Sequence, residues 1–175
     1  MTRTLQLIGS PVLRRKADPV DTSEASGFLT DLLRDMQRIL AEKEGLGLAA
    51  PQVGESLRLF ILDLDDIALK GHRVFVNPVL VLSGDEERIE EGCLSIPGVY
   101  EPVRRSRMAE ISAADEEGKE FVLELEGLLA RAVQHECDHL DGILFVDRLS
   151  PVRRRMLRSK LARIREGEAG GTAGG

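Results

Sequence analysis

Leu128-Leu129-Ala130-Arg131-Ala132-Val133-Gln134-His135-Glu136-Cys137-Asp138-His139-Leu140 decides both the fold and the chemistry of this 175-residue chain. Leu129, Ala132, Val133 and Leu140 fall on one face at helical spacing, and Gly142 follows where a helix ends. Residues four apart share a helix face, so His135 and His139 can reach one ion. Glu136 lies beside them, within reach of a water on that ion. Two surface histidines sharing a helix by chance is the ordinary alternative. The chain has only three histidines, however, and two stand at this spacing with a glutamate between them.

Two histidines leave such a site short of a ligand, because a catalytic zinc-type centre takes three protein donors and keeps one open position. No histidine follows His139; the carboxylates there are Asp141, Asp147, Glu166 and Glu168. Upstream, Glu91-Gly92-Cys93-Leu94-Ser95 offers a thiol beside a glycine that lets another backbone come close. A free cysteine most often ends as a small buried apolar side chain. Beside a two-histidine helix that lacks a ligand, Cys93 becomes the stronger candidate.

Outward from this helix the chain reads as one α+β domain: short antiparallel strands packed around a central HExxH helix, with flanking N- and C-terminal helices. Residues 11–23 read as a loop. Phe28, Leu29, Leu32, Leu33, Met36, Ile39 and Leu40 predict a helix from about Ser23 to Glu44, with Gly45 as its C′ glycine. Leu59 to Leu64, Arg73 to Val76, Val79 to Leu82, Met108 to Ala113 and Phe121 to Leu125 read as strands. Asn77-Pro78, Ser83-Gly84 and Glu117-Gly118 read as turns. Ser150-Pro151 caps a third helix that runs to about Arg165. Residues 1–167 form the expected single catalytic domain, and the Gly- and Ala-rich residues 168–175 are expected to be disordered.

Composition removes several classes. The net charge of −6 argues against a protein that binds polyanions with its whole surface. Trp is absent and Tyr occurs once, so no aromatic platform exists for stacking single-stranded nucleic acid. No apolar run approaches a membrane span, and no secretory or transit signal opens the chain, so a soluble cytoplasmic protein is expected. Two cysteines in a chain of this size suggest one chemical thiol and one bystander rather than a disulfide framework.

Gly45-Leu46-Gly47-Leu48-Ala49-Ala50-Pro51-Gln52 is a backbone that can press against a ligand. It lacks the Lys-Ser/Thr ending of a phosphate-binding loop and follows a helix rather than a strand. An ordinary connector is the plain alternative, although the Gln52 amide could donate to an oxyanion.

Together, Gly45 to Gln52, Glu91 to Ser95 and Gln134 to Gly142 resemble, in order, the GxGxAAxQ, EGCLS and QHExDHLxG segments of the peptide deformylase family. The resemblance extends from about Leu5 to Leu149. It implies that Cys93, His135 and His139 ligate one divalent ion: ferrous iron in the cell, with zinc, nickel or cobalt as substitutes. It implies Glu136 as acid/base and the Gln52 side chain and Leu94 backbone N–H as oxyanion donors. Leu46, Gly47, Gly92, Ile89 and Leu128 then fall along the substrate, with plain core an equal alternative for Ile89. The implied reaction is hydrolysis of the formyl group from the N-terminal formyl-methionine of nascent chains, releasing formate, by a monomer. The missing insertion before Glu91 and the long last helix look like the Gram-negative type. Two positions depart from common members. No acidic residue follows Pro11, and Arg131 stands one turn before His135, where it bears on pocket shape.

Residues 151–166 carry seven basic side chains (Arg153, Arg154, Arg155, Arg158, Lys160, Arg163 and Arg165) against Glu166. Val152, Met156, Leu157, Leu161 and Ile164 form an apolar stripe through them. A solvated basic face is one reading. The resemblance implies the other, contact with the ribosome near the exit tunnel. Two alternatives to the whole account remain open: a zinc peptidase with its third ligand from Glu166 or another downstream carboxylate, and a non-catalytic binding protein, against which intact Glu136 and Gln52 argue.

Overall fold

The computed structural model describes residues 2–22 and 26–167. Among these, five antiparallel strands form one sheet in sequence order: β1 (Gly47–Ala49), β2 (Leu59–Leu62), β3 (Val74–Cys93), β4 (Ile96–Ala114) and β5 (Glu120–Glu126). Three α-helices accompany it: α1 (Ser26–Glu42), α2 (Gly127–Leu140) and α3 (Pro151–Arg165). No helix among the described residues is long and apolar enough to cross a membrane.

Side-chain alternation in β2 explains the layering. Leu59 and Ile61 pack with Leu32, Met36 and Ile39 of α1, whereas Phe60 and Leu62 pack with Val133, Cys137 and Leu140 of α2. The sheet is thus covered on both faces, which is why β2 is apolar at every position. Phe60 stacks on Phe75 at 4.7 Å between ring centroids. α2 presents this apolar face to the sheet and turns its histidines away from it, so the HExxH helix is central. α3 closes the far side through Leu161 and Ile164, which are buried with Leu144, Phe145 and Val99.

Several elements differ from their sequence reading. The start of α1 expected near Ser23, and the tail from residue 168, lie outside the described residues. Phe28 does not join the core; it is half-exposed, with the Arg3 guanidinium 5.0 Å over its ring. α1 ends in a Schellman arrangement in which Glu44, not Gly45, takes the left-handed C′ position (φ 52°). The Gly45 N–H bonds Leu40 O at 3.2 Å, and the Glu44 N–H bonds Ala41 O at 3.3 Å. Gly45 is required for closeness instead: a Cβ there would sit 2.8 Å from side-chain carbons of Leu40 and Leu94.

The two turns expected at Asn77-Pro78 and Ser83-Gly84 are bulges inside one continuous strand, β3, at register shifts against β4. Asn77 sits at φ 50°, and its amide exchanges two 2.9 Å hydrogen bonds with the backbone of Val20, fixing the loop that precedes α1. The strand read from Met108 reaches back to Ile96. β3 and β4 therefore form a long ribbon, not short strands. In α3, Ser150 Oγ accepts the Arg153 N–H as an N-cap, as expected. The apolar stripe is only half used, since Val152 and Met156 are exposed.

Candidate metal centre

The end of β3 and one face of α2 bring Cys93, His135 and His139 together, with donor atoms all within 4.8 Å of one another. Cys93 Sγ lies 3.3 Å from His139 Nε2. His135 Nδ1 lies 3.2 Å from Glu91 Oε2; a carboxylate only accepts, so Nδ1 donates and Nε2 is left to face an ion. Burial, reinforced by the charge of His135, holds His139 well below the usual histidine range. A neutral imidazole is the ligating form. Burial opposes charge on His135 as well, but hydrogen bonds with Cys93 and Glu91 prevail and raise it to about 10, so a metal there competes with a proton. One thiol and two imidazoles are the donor number and type of a catalytic centre that keeps a position open. The residues fit a divalent ion.

Glu136 is buried beside the donors, and burial pushes its carboxyl up to about 7. Its Oε2 has no hydrogen-bond partner among the described residues. The Oε1 atom explains Gly47, because a Cβ on that residue would stand 2.6 Å from it. Gln52 is held on both sides. Its Oε1 accepts the Ala49 N–H at 2.9 Å, while its Nε2 donates to Ser95 Oγ at 3.1 Å and points at Cys93 Sγ at 3.5 Å. Leu94 follows Cys93 in the turn between β3 and β4.

Gln52, Cys93, His135 and Glu136 line a cleft of about 840 Å³. Leu46, Gly47, Gly92, Leu94 and Leu128 line it. Ile89 does not; it sits half-exposed on β3 opposite Val103. Cys137, two residues after His135, belongs to the apolar core, where burial pushes its thiol far up. It lies outside the cluster of Cys93, His135 and His139.

Sequence reasoning missed the ion network that carries the site. Arg105 clasps both oxygens of Glu91, at 2.9 and 3.0 Å, and reaches Asp138 at 2.5 Å. Arg148 chelates the same Asp138 from the surface. Arg131 lines the cleft, and its charge is met by partners on the ribbon. Its guanidinium turns to Glu91 at 2.6 Å and to the carbonyls of Val103 and Glu87 at 3.0 and 2.9 Å, tying α2 to β3 and β4. Burial opposes ionisation of Glu91, but hydrogen bonds from His135 and Arg105 hold it well below the usual carboxylate range. Glu91 and Asp138 both lay inside the quoted motifs; nothing in the sequence marked Arg105 or Arg148.

Comparison with known proteins agrees with this geometry. The pattern of the family described as polypeptide deformylase matches residues 2–155. The peptide deformylase of Acidothermus cellulolyticus is 44% identical over 169 residues, covering 97% of this chain and 89% of that one. Peptide deformylase 1 of Clostridium perfringens is 46% identical over 145 residues, covering 83% and 96%. The crystal structure of a peptide deformylase from Legionella pneumophila superposes with a TM-score of 0.85 at 42% identity, covering 98% of this chain and all of that one. This chain belongs to the polypeptide deformylase family, hydrolases that remove the formyl group from the N-terminal methionine of nascent chains.

Proposed function

We propose that Cys93, His135 and His139 hold the ion of this deformylase and that Glu136 moves the proton in formyl hydrolysis. The observation that carries the reading is the convergence of those three donors within 4.8 Å, with Cys93 and His135 lining the cleft and His139 buried behind them. When bound, a divalent ion supplies Lewis acidity and brings the pKa of a water molecule down to about 7. Glu136, near 7 itself, takes the proton from the attacking water and returns it to the departing methionine amine. The Gln52 amide and the Leu94 N–H meet the negative oxygen that develops on the formyl carbon. Gly47 opens the edge strand β1 directly after Leu46, and the peptide backbone adds along that edge as a strand. Leu128 offers an apolar contact for the methionine side chain.

The thiolate donor suits ferrous iron and zinc alike. We assign iron in the cell, with zinc, nickel or cobalt as substitutes, and a cytoplasmic monomer as the working form. The exposed arginines of α3 support contact with ribosomal RNA or protein near the exit tunnel. Because Leu161 and Ile164 anchor α3 in the core, this contact is tested by Arg154→Gln, Arg155→Gln and Arg158→Gln together rather than by deletion. Salt-sensitive co-sedimentation with ribosomes should fall, with peptide turnover unchanged.

The test of the main reading is turnover of formyl-Met and acetyl-Met peptides by anaerobically purified protein, with metal analysis of the same sample. Formyl substrates should be cleaved and acetyl ones hardly at all, with one divalent ion per chain. Equal rates on both would make this a general amidase.

A further inference from the structure

A second cavity, of about 410 Å³, shares no lining residue with the metal cleft. Arg88, Pro102, Arg104, Arg148, Leu149 and Ser150 line it, so it gathers three guanidiniums and no carboxylate. Arg88 and Arg104 stand directly opposite each other across β3 and β4. Like charges so placed destabilise a strand pair. The protein does little to relieve them. Arg88 makes no ion pair among the described residues, and Arg104 meets only Glu86, at 3.9 Å with both side chains exposed. An exposed pair of that length contributes little. Arg148 arrives from the turn before α3 and commits Nε and Nη2 to Asp138, which leaves Nη1 over. Ser150 Oγ accepts the Arg153 N–H, so its hydroxyl proton is still free to donate.

Unused donors thus converge on one cavity, and we propose that it is a binding site for a phosphate monoester dianion. Asp138 answers the charge of Arg148, so Arg88 and Arg104 carry the two positive charges that a dianion matches. Guanidiniums hold phosphate oxygens through paired N–H donors, a geometry that a point charge does not copy. The volume falls in the range of about 300–1,000 Å³ that takes a small organic ligand, and Pro102 and Leu149 give an apolar wall for its body. A nucleic-acid phosphodiester, with one charge on each phosphate, fits the opposed pair less well.

Isothermal titration of the metal-loaded protein with inorganic phosphate and with adenosine monophosphate, at constant ionic strength, tests this. The wild type should bind one equivalent of each. Arg88→Gln with Arg104→Gln should weaken both about tenfold or more, the scale of one charge-assisted hydrogen bond. Turnover of a formyl-Met peptide in anion-free buffer should be unchanged. In that buffer the double variant should melt no lower than the wild type, because a repulsion has been removed. Added phosphate should raise the melting temperature of the wild type alone. Tighter binding of the nucleotide would identify a ligand with an organic body, and equal binding would identify free phosphate; either upholds the site. Undiminished binding by the double variant would place the anion elsewhere, at the metal above all, and overturn the proposal. Absence of stoichiometric binding by the wild type would overturn it too.

Discussion

Two halves of the molecule meet on α2 and are built from opposite materials. Toward the sheet, Val133, Cys137 and Leu140 join Phe60, Phe75 and Leu123 in a dry core. Toward the ribbon, His135 and Asp138 join Glu91, Arg105 and Arg148 in a largely buried network of charge. Both are close-packed, but they depend on different things. The apolar half is stabilised by area removed from water, whatever the exact partner. In the charged half, each group justifies its burial only through a specific partner, so removing one strands another.

Glu136→Ala separates the two halves most sharply. It sits where they meet but belongs to neither the ion network nor the apolar core. Turnover of a formyl-Met peptide should fall by roughly 10² or more, the usual scale for general acid–base catalysis, with metal content unchanged. A near-normal rate would break the assignment.

Phe60→Ala and Arg105→Gln then compare the halves directly. Phe60→Ala should cost about 3–5 kcal/mol in chemical unfolding and leave the metal affinity of the folded protein intact. Arg105→Gln should cost about 3 kcal/mol and also weaken metal binding about 10- to 100-fold, because Glu91 orients His135. Equal metal affinity in both variants would show that the network is scaffold alone.

Acid separates them next. Glu91 is depressed in the folded state, so its contribution to stability is complete above the unfolded pKa of about 4.3 and is lost as pH falls below it. The acid limb of unfolding should be shallower in Arg105→Gln than in wild type, and unaltered in slope in Phe60→Ala. The smallest effect belongs to Cys137→Ser. A hydroxyl in the dry core should cost about 1 kcal/mol, while metal content stays whole. Loss of metal there would mean that the wrong cysteine has been assigned.

The same contrast explains what could be read in advance. α2, the run Leu59 to Leu62 and the faces of α1 announce themselves because the dry half writes its burial in apolar periodicity. The ribbon from residue 84 to 107 does not. Its inward positions include Glu91, Glu101 and Arg105, which look in sequence like surface residues. Apolar patterning therefore predicts only the pieces Arg73 to Val76, Val79 to Leu82 and Met108 to Ala113, and the bulges at Asn77 and Gly84 carry the residues of turns. Donor residues were legible because metal chemistry needs His, Cys and Glu at recognisable spacings. Their supports were not, since a guanidinium that arrives from another strand leaves no local pattern. Arg131 shows the limit most plainly: its place on the helix was clear, but only the fold reveals that it faces Glu91.

The central claim is that one ion is held by Cys93, His135 and His139, with Glu136 and Cys137 outside the donor set. Absorption of the cobalt(II)-loaded protein reads this most directly, because a thiolate bound to cobalt gives a charge-transfer band. The wild type, Glu136→Ala and Cys137→Ser should all show the band, and Cys93→Ala should lack it. A band that persists without Cys93, or disappears with Cys137, would contradict the account.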